Sequence, residues 1–307
     1  MSTVNSENTP AGIFMLKLKT IAGVVAMVLC KSAWAGDTYM LHENLHIGQQ
    51  VTYVTTQDAK DHSDMTTDGK ETISDTETVQ SWKATETMVG VASGSATQAR
   101  MDIAPESFDT VKTTGQDEKK TPCPFIGKAI LVNREPDGSV SDDYPRKPED
   151  AGNDLLNSDI ELLDNFLTPD EEAYADIPVA VGDTWDNSAK MAKGMGLGPS
   201  DHVSATTKLD WVKTINGKQI AEISTTVVTT THVDAGPNGR MATDTVDTQT
   251  GVMLVDIEAG MIVKGDCKDV TKTKSPPSSP VKLVEEIDTE FHSEVIPDPA
   301  AGAATQP

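Results

Sequence analysis

The residues with the sharpest chemical spacing lie near the N-terminal end of the chain. His42, Glu43 and His46 fit the pattern H-E-x-x-H, in which two histidines one helical turn apart bind zinc and the glutamate activates a water molecule. The pattern needs a helix, but Gly48 and an alternating, strand-like stretch follow directly. No third ligand stands at a recognisable spacing. His42 and His46 are therefore secondary metal candidates, and a zinc-dependent hydrolase is kept as an alternative function.

No further pattern in the sequence supplies a catalytic set. There is no G-x-S-x-G elbow for a nucleophile and no glycine-rich loop that opens a helix to cradle phosphate. The acidic groups at 142–143 and 170–172 are expected in solvated loops, because isolated surface carboxylates rarely act as an acid and base pair. We therefore expect a protein that is not an enzyme and that uses no cofactor.

The three cysteines of the chain lie at positions 30, 123 and 267. Cys30 belongs to an N-terminal apolar stretch that we expect to be removed, which leaves Cys123 and Cys267 as an even pair. In an oxidising compartment this pair is a disulfide candidate, and two reduced thiols are the alternative. Neither cysteine stands in a C-x-x-C pair or beside a histidine, so catalytic use is not expected.

Residues 1–35 have the layout of a secretory signal peptide. A positive region precedes an apolar core over residues 21–29, and Ala33 and Ala35 form an A-x-A cleavage site. Met15 is an alternative start, which makes the polar residues 1–14 an extension. The sequence predicts a secreted or periplasmic protein that is cleaved near Ala35. No later stretch approaches the roughly eighteen apolar residues of a spanning helix, so the mature form is expected to have no membrane span.

The charge balance limits the partners of the protein. The chain has 48 acidic residues against 25 lysines and arginines, a formal net charge of -23. Phosphate groups are repelled by such a surface. Nucleic acids and anionic lipid surfaces are therefore unsuitable partners, and the excess charge is expected to serve solubility.

The mature region, residues 36–296, has the pattern of a mainly β domain. Val, Ile and Thr recur in alternating runs, which is typical of strands with one buried face. Asn216-Gly217 predicts a hairpin turn, and Thr250-Gly251 predicts another, while residues 253–263 are expected to line one face of a single strand. The strands are predicted near 45–56, 72–78, 81–91, 95–113, 203–214, 221–227 and 281–295. Residues 297–307 are expected to form a disordered tail.

One amphipathic helix is predicted over residues 151–167. Its apolar side chains recur at helical spacing and share one face, and Pro169 disfavours its continuation. Packing of this face on the sheet gives a large curved antiparallel sheet with one helix on it, and a division into two lobes remains open. The helix residues that would face the sheet are Leu156, Ile160, Leu163 and Leu167.

A segment of the second half resembles a known family. Residues 178–185 carry the pattern P-x-x-V-G-D-x-W, which is similar to a segment of an uncharacterised family of exported bacterial β-sheet proteins. Residues 45–49, 216–218 and 247–251 resemble that family's opening strand, central hairpin and D-x-x-T-G turn. The resemblance implies an architecture similar to lipoprotein-carrier and lipid-binding half-barrels, with no catalytic residues. It also implies structural roles for Gly182 in a turn and for Trp185, whose indole N–H would bond to backbone.

Taken together, these features predict an exported protein that binds a lipid or other apolar small molecule. The ligand would lie between the sheet and the predicted helix, with Leu156, Ile160, Leu163 and Leu167 as the groove candidates. A structural or surface-adhesion protein is the alternative, in which the same faces fill a closed core.

Overall fold

The computed structural model of the chain describes residues 37–134, 140–146, 156, 174–175, 177–194, 201–234 and 242–296. Residues Met1–Thr38 and Tyr39–Pro307 form two compact units, and the large sheet belongs to the second. The predicted signal peptide, the predicted tail and all but one residue of the predicted helix lie outside the described residues. The exception, Leu156, is helical and buried.

The described residues are mainly β, as the sequence predicts. A short helix, α1 (Ser188–Gly194), packs beside β11. In chain order the strands are β1 (Thr38–Tyr39), β2 (Gln50–Thr67), β3 (Lys70–Ala92), β4 (Ser95–Ile103), β5 (Phe108–Thr113), β6 (Lys119–Pro122), β7 (Ala129–Arg134), β8 (Val140–Asp142), β9 (Val179–Ala180), β10 (Thr184–Asp186), β11 (His202–Ile215), β12 (Lys218–Val233), β13 (Thr243–Asp256), β14 (Met261–Lys274) and β15 (Lys282–Ile296).

Thirteen of these strands form one large curved antiparallel sheet that is not closed on itself. Its order is β10-β11-β12-β13-β14-β15-β2-β3-β4-β7-β8, and β5 and β6 continue from the far part of β3. The pairing of the last long strand with the first, β15 with β2, joins the N-terminal and C-terminal halves. The strands before and after the predicted helix therefore share one sheet.

The turns confirm one sequence prediction and correct another. Asn216 and Gly217 join β11 to β12 with φ angles of 53° and 82°, as a tight hairpin turn requires. In contrast, Thr250 and Gly251 lie inside β13. The reversal comes instead at residues 257–260, so residues 253–263 belong to two strands. Gly260 has a φ of 59°, and the Asp256 side chain accepts a hydrogen bond from the Ala259 amide at 3.1 Å, which stabilises this turn.

The register of the sheet defines two faces. Direct partners in antiparallel strands lie on the same face, so a row of partners can be followed across the whole sheet. We call the face that carries the buried hydrophobic side chains the inner face and the opposite one the outer face. One inner-face row runs through Trp82, Thr55, Ser293, Gly265, Met253, Ile223 and Leu209.

Two separate hydrophobic clusters occupy the inner face, one toward each side of the sheet. Cluster 1 surrounds Trp82 and Phe125 on β3, β4 and β7 and includes Leu156. Cluster 2 surrounds Leu209 and Ile223 on β11, β12 and β13. Between the clusters, the inner-face residues of β14, β15 and β2 are mostly half-buried. The middle of the inner face thus lacks a closed core among the described residues.

The segment before β2 covers one end of the inner face. Leu41 is buried in cluster 2 and Leu45 in cluster 1, so this short segment connects the two. The Asn44 amide donates to the Glu258 carbonyl at 3.0 Å. A Cβ added at Gly260 would lie 2.1 Å from the His42 carbonyl oxygen. Only glycine therefore permits the turn after β13 to approach this segment so closely.

Candidate functional site

Two glycines form part of the inner face between the hydrophobic clusters. Gly251 of β13 lies directly across from Cys267 of β14, and Gly265 lies one inner-face position before Cys267. A Cβ added at Gly265 would meet no atom of the described residues within 4 Å, whereas one added at Gly251 would lie 3.3 Å from Cγ2 of Thr225. Glycine in the middle of a strand weakens it and often marks a place where a ligand or another backbone approaches closely. We call the shallow depression at Gly265, together with the neighbouring Gly251 and Cys267, the trough.

Apolar side chains border the trough on the β15 side. Phe291 is the direct partner of Cys267 and packs against cluster 1 while staying half-buried. Further along the same face of β15 lie Ile287 and Leu283, which are also half-buried. An apolar molecule of modest size could contact this row and the edges of both clusters.

The two faces of β2, β13, β14 and β15 differ in charge, because the lysines of these strands lie only on the outer face. Every lysine of these strands points to the outer face, where several form cross-strand ion pairs such as Lys268 with Asp288 at 2.9 Å. The outer-face lysines are Lys60, Lys264, Lys268, Lys272, Lys274 and Lys282. On the inner face these strands carry carboxyl groups only, those of Asp61, Asp247, Asp269 and Glu285.

The inner-face carboxyls lie beyond the trough along the strands, and the pKa values of Asp269, Asp61 and Glu285 are raised. Partial burial is the main cause that raises the pKa of Asp269 to about 7, and a hydrogen bond with the nearby Asp247 carboxyl adds to it. Burial also raises the pKa of Asp61 and of Glu285. The Thr271 hydroxyl donates to Asp247 at 3.1 Å. Asp247 and Asp269 therefore form a hydrogen-bonded carboxyl pair on the inner face, and the proximity of Asp247 disfavours ionisation of Asp269.

Thr229 completes this polar group from the neighbouring strand. It is the direct partner of Asp247 and is only 4% exposed. Its hydroxyl oxygen is buried and has no hydrogen-bond partner in the described part of the chain, and the same holds for Oδ1 of Asp269. Buried polar atoms are nearly always hydrogen-bonded in native proteins. Both oxygens are therefore able to form a hydrogen bond with a group outside the described residues.

A second concave region lies on the sheet at β2, β3 and β5. This cleft of about 400 Å³ is lined by Lys60, His62, Asp75 and Lys112, among others. His62 Nδ1 lies 2.6 Å from Asp75 Oδ1, and the Thr114 hydroxyl donates to the same carboxyl at 3.2 Å. The hydrogen bond to Asp75 raises the pKa of His62 and lowers that of Asp75. An aspartate that orients a histidine is one part of a general-base arrangement.

The same histidine–aspartate geometry occurs at two other places on the outer face. His232 Nδ1 lies 2.7 Å from Asp244 Oδ1, and His292 Nδ1 lies 2.6 Å from Asp266 Oδ1. All three pairs are direct cross-strand partners on exposed strands. The repetition indicates that histidine–aspartate pairing across strands is a general feature of the exposed face of this sheet. Among the described residues that line the cleft at His62, no activated nucleophile accompanies the pair. The inner-face trough is therefore the better functional candidate.

The structure does not bring the predicted zinc ligands into a metal site. Residues 41–46 are irregular, so His42 and His46 do not face one another across a helical turn, and both are exposed. Glu43 instead pairs with Arg134, with nitrogen to oxygen distances of 3.3 and 3.4 Å. Among the described side chains, no three His, Cys, Asp or Glu residues are grouped as a metal ion would require.

The disulfide prediction is not borne out by the geometry. Cys123 is buried in cluster 1, whereas Cys267 is half-buried on the inner face of β14, and no disulfide joins them in the structure. Pairing requires Cα atoms within about 7 Å, and an even cysteine count gives no information about that distance. Cys267 is better described as part of the trough.

The prediction of a ligand groove along the helix stays a prediction. Leu156 is buried in cluster 1, whereas Ile160, Leu163 and Leu167 lie outside the described residues. No described helical residue belongs to an apolar helix of membrane-spanning length. Sequence reasoning missed the inner-face carboxyls and Thr229, although every lysine of β14 and β15 stands at an even-numbered position and Asp269 and Glu285 at odd-numbered ones.

The segment at residues 178–185 has a structural role that differs in one detail from the expectation. Gly182 has a φ of 93° in a turn, as expected. Trp185 packs against cluster 2, but its indole nitrogen is buried without a hydrogen-bond partner in the described ranges. The expected bond from the indole to backbone is therefore absent there.

Comparison with known proteins yields distant structural similarity. A lipovitellin structure is 10% identical over 85% of this chain and 26% of its own, with a TM-score of 0.44; the chain thus spans about a quarter of lipovitellin. An outer membrane channel from Pseudomonas putida is 7% identical over 83% and 98%, with a TM-score of 0.26. A DUF1329 family protein from Desulfovibrio piger is 10% identical over 79% and 84%, with a TM-score of 0.15.

No family model and no curated protein matches the chain. The likenesses to solved structures are too distant to assign a family or a ligand. The resemblance carried by residues 178–185 therefore remains a prediction, and the functional argument rests on the geometry of the sheet.

Proposed function

We propose that this protein is an exported, secreted or periplasmic binding protein that holds a lipid or other apolar molecule in the inner-face trough. The observation that carries the proposal is the gap between the two hydrophobic clusters. There, Gly265 leaves open space among the described residues where a side chain would stand, and Phe291 stays half-buried beside it. Burial of such apolar surface is favourable by roughly 25 cal/mol per Å², so an apolar ligand would stabilise the open middle of the sheet.

A fluorescent apolar probe tests the trough directly. N-phenyl-1-naphthylamine, which brightens in apolar surroundings, should bind the wild-type chain. The variant Gly265→Leu should weaken this binding by about tenfold or more, equivalent to about 1.4 kcal/mol, because leucine fills the open space. The φ of Gly265 is not in the left-handed region, so the substitution introduces no backbone strain.

The matched control is Val252→Leu. Val252 is 42% exposed and lies on the outer face of β13, next in sequence to Gly251. This variant should bind the probe as the wild type does. Equal probe binding by all three proteins, or no binding by any, would contradict the proposed ligand site and favour a structural role for the sheet.

The proposed location has a separate test. Mass spectrometry of the protein recovered from its own host should give a mature N-terminus near Gly36, and recovery should be from the medium or the periplasmic fraction. A full-length chain that stays in the cytoplasm would overturn the proposed export while leaving the ligand site untouched.

A further inference from the structure

We infer that the apolar molecule in the trough carries a primary ammonium group, which is seated between Asp247, Asp269 and Thr229. This inference rests on the proposed function and names the chemical class of its ligand, a cationic amphiphile. Its basis is the placement of unsatisfied hydrogen-bond acceptors next to an apolar surface, on the part of the inner face formed by β2, β13, β14 and β15, which carries no lysine or arginine.

The three oxygen-bearing side chains come from three adjacent strands and meet on one face. Thr229 of β12 is the direct partner of Asp247 of β13. Asp247 is the direct partner of Thr271 of β14, and Asp269 lies one inner-face position before Thr271. The Thr229 hydroxyl and Asp269 Oδ1 lack hydrogen-bond partners within the described ranges. A primary ammonium has three N–H donors, which is the number of acceptor groups that this cluster offers.

The distance from the trough suits an amphiphile. Residues two apart on a strand are about 6.8 Å apart, so Asp269 lies about that far along β14 from Cys267, which borders Gly251. The apolar part of a ligand over Gly251, Gly265 and Phe291 would thus end next to the carboxyl pair. Polar and apolar parts of the site follow one another along the strands, as they do in an amphiphile.

Charge selects between head groups. The inner face of β2, β13, β14 and β15 presents four carboxyl groups and no lysine, so an anionic head group would be repelled. A metal ion is not favoured, since no set of three His, Cys, Asp or Glu ligands is grouped in the described chain. A neutral hydroxyl could donate one hydrogen bond to this cluster but would leave the negative charge of an ionised carboxyl uncompensated.

Ammonium binding is expected to depend on pH. The charged groups that act on Asp269 are Asp247 on β13 and Asp288 on the outer face of β15. Both are acidic, so each disfavours ionisation of Asp269; Asp61 and Glu285, the other charged groups on the inner face of these strands, are acidic as well. A bound ammonium would favour the ionised form and release a proton. Binding should therefore be tighter above pH 7 than below it, while binding of a neutral amphiphile should be insensitive to this titration.

Displacement of N-phenyl-1-naphthylamine by amphiphiles of equal chain length tests the inference. The probes are dodecylamine, dodecyltrimethylammonium, dodecanol and dodecanoate, each used below its solubility limit and, where it forms micelles, below its critical micelle concentration. Dodecylamine should displace the dye at the lowest concentration at pH 8, about tenfold below dodecanol, and this advantage should shrink at pH 5.5. Asp269→Asn should remove the advantage without changing displacement by dodecanol.

The control variant is Glu290→Gln. It removes one negative charge, as Asp269→Asn does, but from the outer face of β15. It should leave the order of the amphiphiles unchanged. If dodecanol and dodecylamine displace the dye equally from the wild type, or if Glu290→Gln has the same effect as Asp269→Asn, the proposed ammonium site is wrong. The proposed binding of apolar molecules in the trough would not be affected by that result. If no amphiphile displaces the dye, the proposed function fails and the ammonium site fails with it.

Discussion

Replacement of Asp269 by asparagine should stabilise the folded protein at alkaline pH and have little effect at acidic pH. An aspartate carboxyl has an ordinary pKa of 3.8, whereas burial and the neighbouring Asp247 raise the pKa of Asp269 to about 7. Because the pKa is higher in the folded state, the contribution of Asp269 to stability is complete below pH 3.8 and is lost as the pH rises through 7. Asparagine keeps the shape and can donate to Asp247 without ever ionising.

The size of the effect follows from the pKa difference. A tenfold difference in proton affinity is worth about 1.4 kcal/mol, so the raised pKa sets a ceiling of about 4 kcal/mol. The carboxyl is only partly buried, and solvent screening should reduce the effect to about 1–2 kcal/mol.

Urea unfolding of the wild type and Asp269→Asn at pH 5 and at pH 8.5 measures this difference. We expect the advantage of the variant to grow between the two values. Glu290→Gln provides the comparison, because it removes an exposed carboxyl from the other face and should show no such growth. If the unfolding free energies of the wild type and Asp269→Asn differ by the same amount at both pH values, the argument that burial disfavours the ionised form of Asp269 is refuted.

Three further predictions concern stability and titration. Gly260→Ala should lower the unfolding free energy by more than the roughly 1–3 kcal/mol of backbone strain alone, since its Cβ would collide with the segment before β2. The control Gly127→Ala should cost only the strain, because no described atom lies near its Cβ position. Equal losses in urea unfolding would be inconsistent with the contact at Gly260. Phe125→Ala should lower the unfolding free energy by about 3–5 kcal/mol, because Phe125 is fully buried between Trp82 and Tyr144. A loss below about 1 kcal/mol would contradict the place of Phe125 in cluster 1. In an NMR titration, the pKa of His62 should lie above 6.5 and fall in Asp75→Asn, and an unchanged value would show that the pair is not formed in solution.

Much of the fold could be predicted from the sequence because alternation within a strand is a local property. The strand over Lys282–Ile296 was expected from its alternating apolar and charged residues. In the structure most of the apolar residues lie on the inner face and most of the charged residues on the outer face. The turn at Asn216-Gly217 was equally accessible, since both residues tolerate positive φ. Thr250-Gly251 misled for a physical reason: a glycine inside a strand gives the same signal as one in a turn, and here it belongs to the trough.

The candidate site could be predicted only in part. The parity of residues on β14 places Asp269 on the same face as Cys267, but nothing in the sequence gives the register that sets Asp247 across from Thr229. Neither the joining of β15 to β2 nor the burial that raises the pKa of Asp269 has a local signature. The H-E-x-x-H pattern was misleading because its chemistry depends on a helix, and the chain at His42 and His46 is irregular.

The most direct test is a crystal structure of the protein with a medium-chain amphiphile brominated along its chain. Anomalous scattering would locate the bromine atoms without assumptions about the ligand's fit. The account predicts bromine peaks on the inner face in contact with Gly265 and Phe291. Peaks confined to the outer face, or an inner face filled by the protein's own side chains, would contradict it.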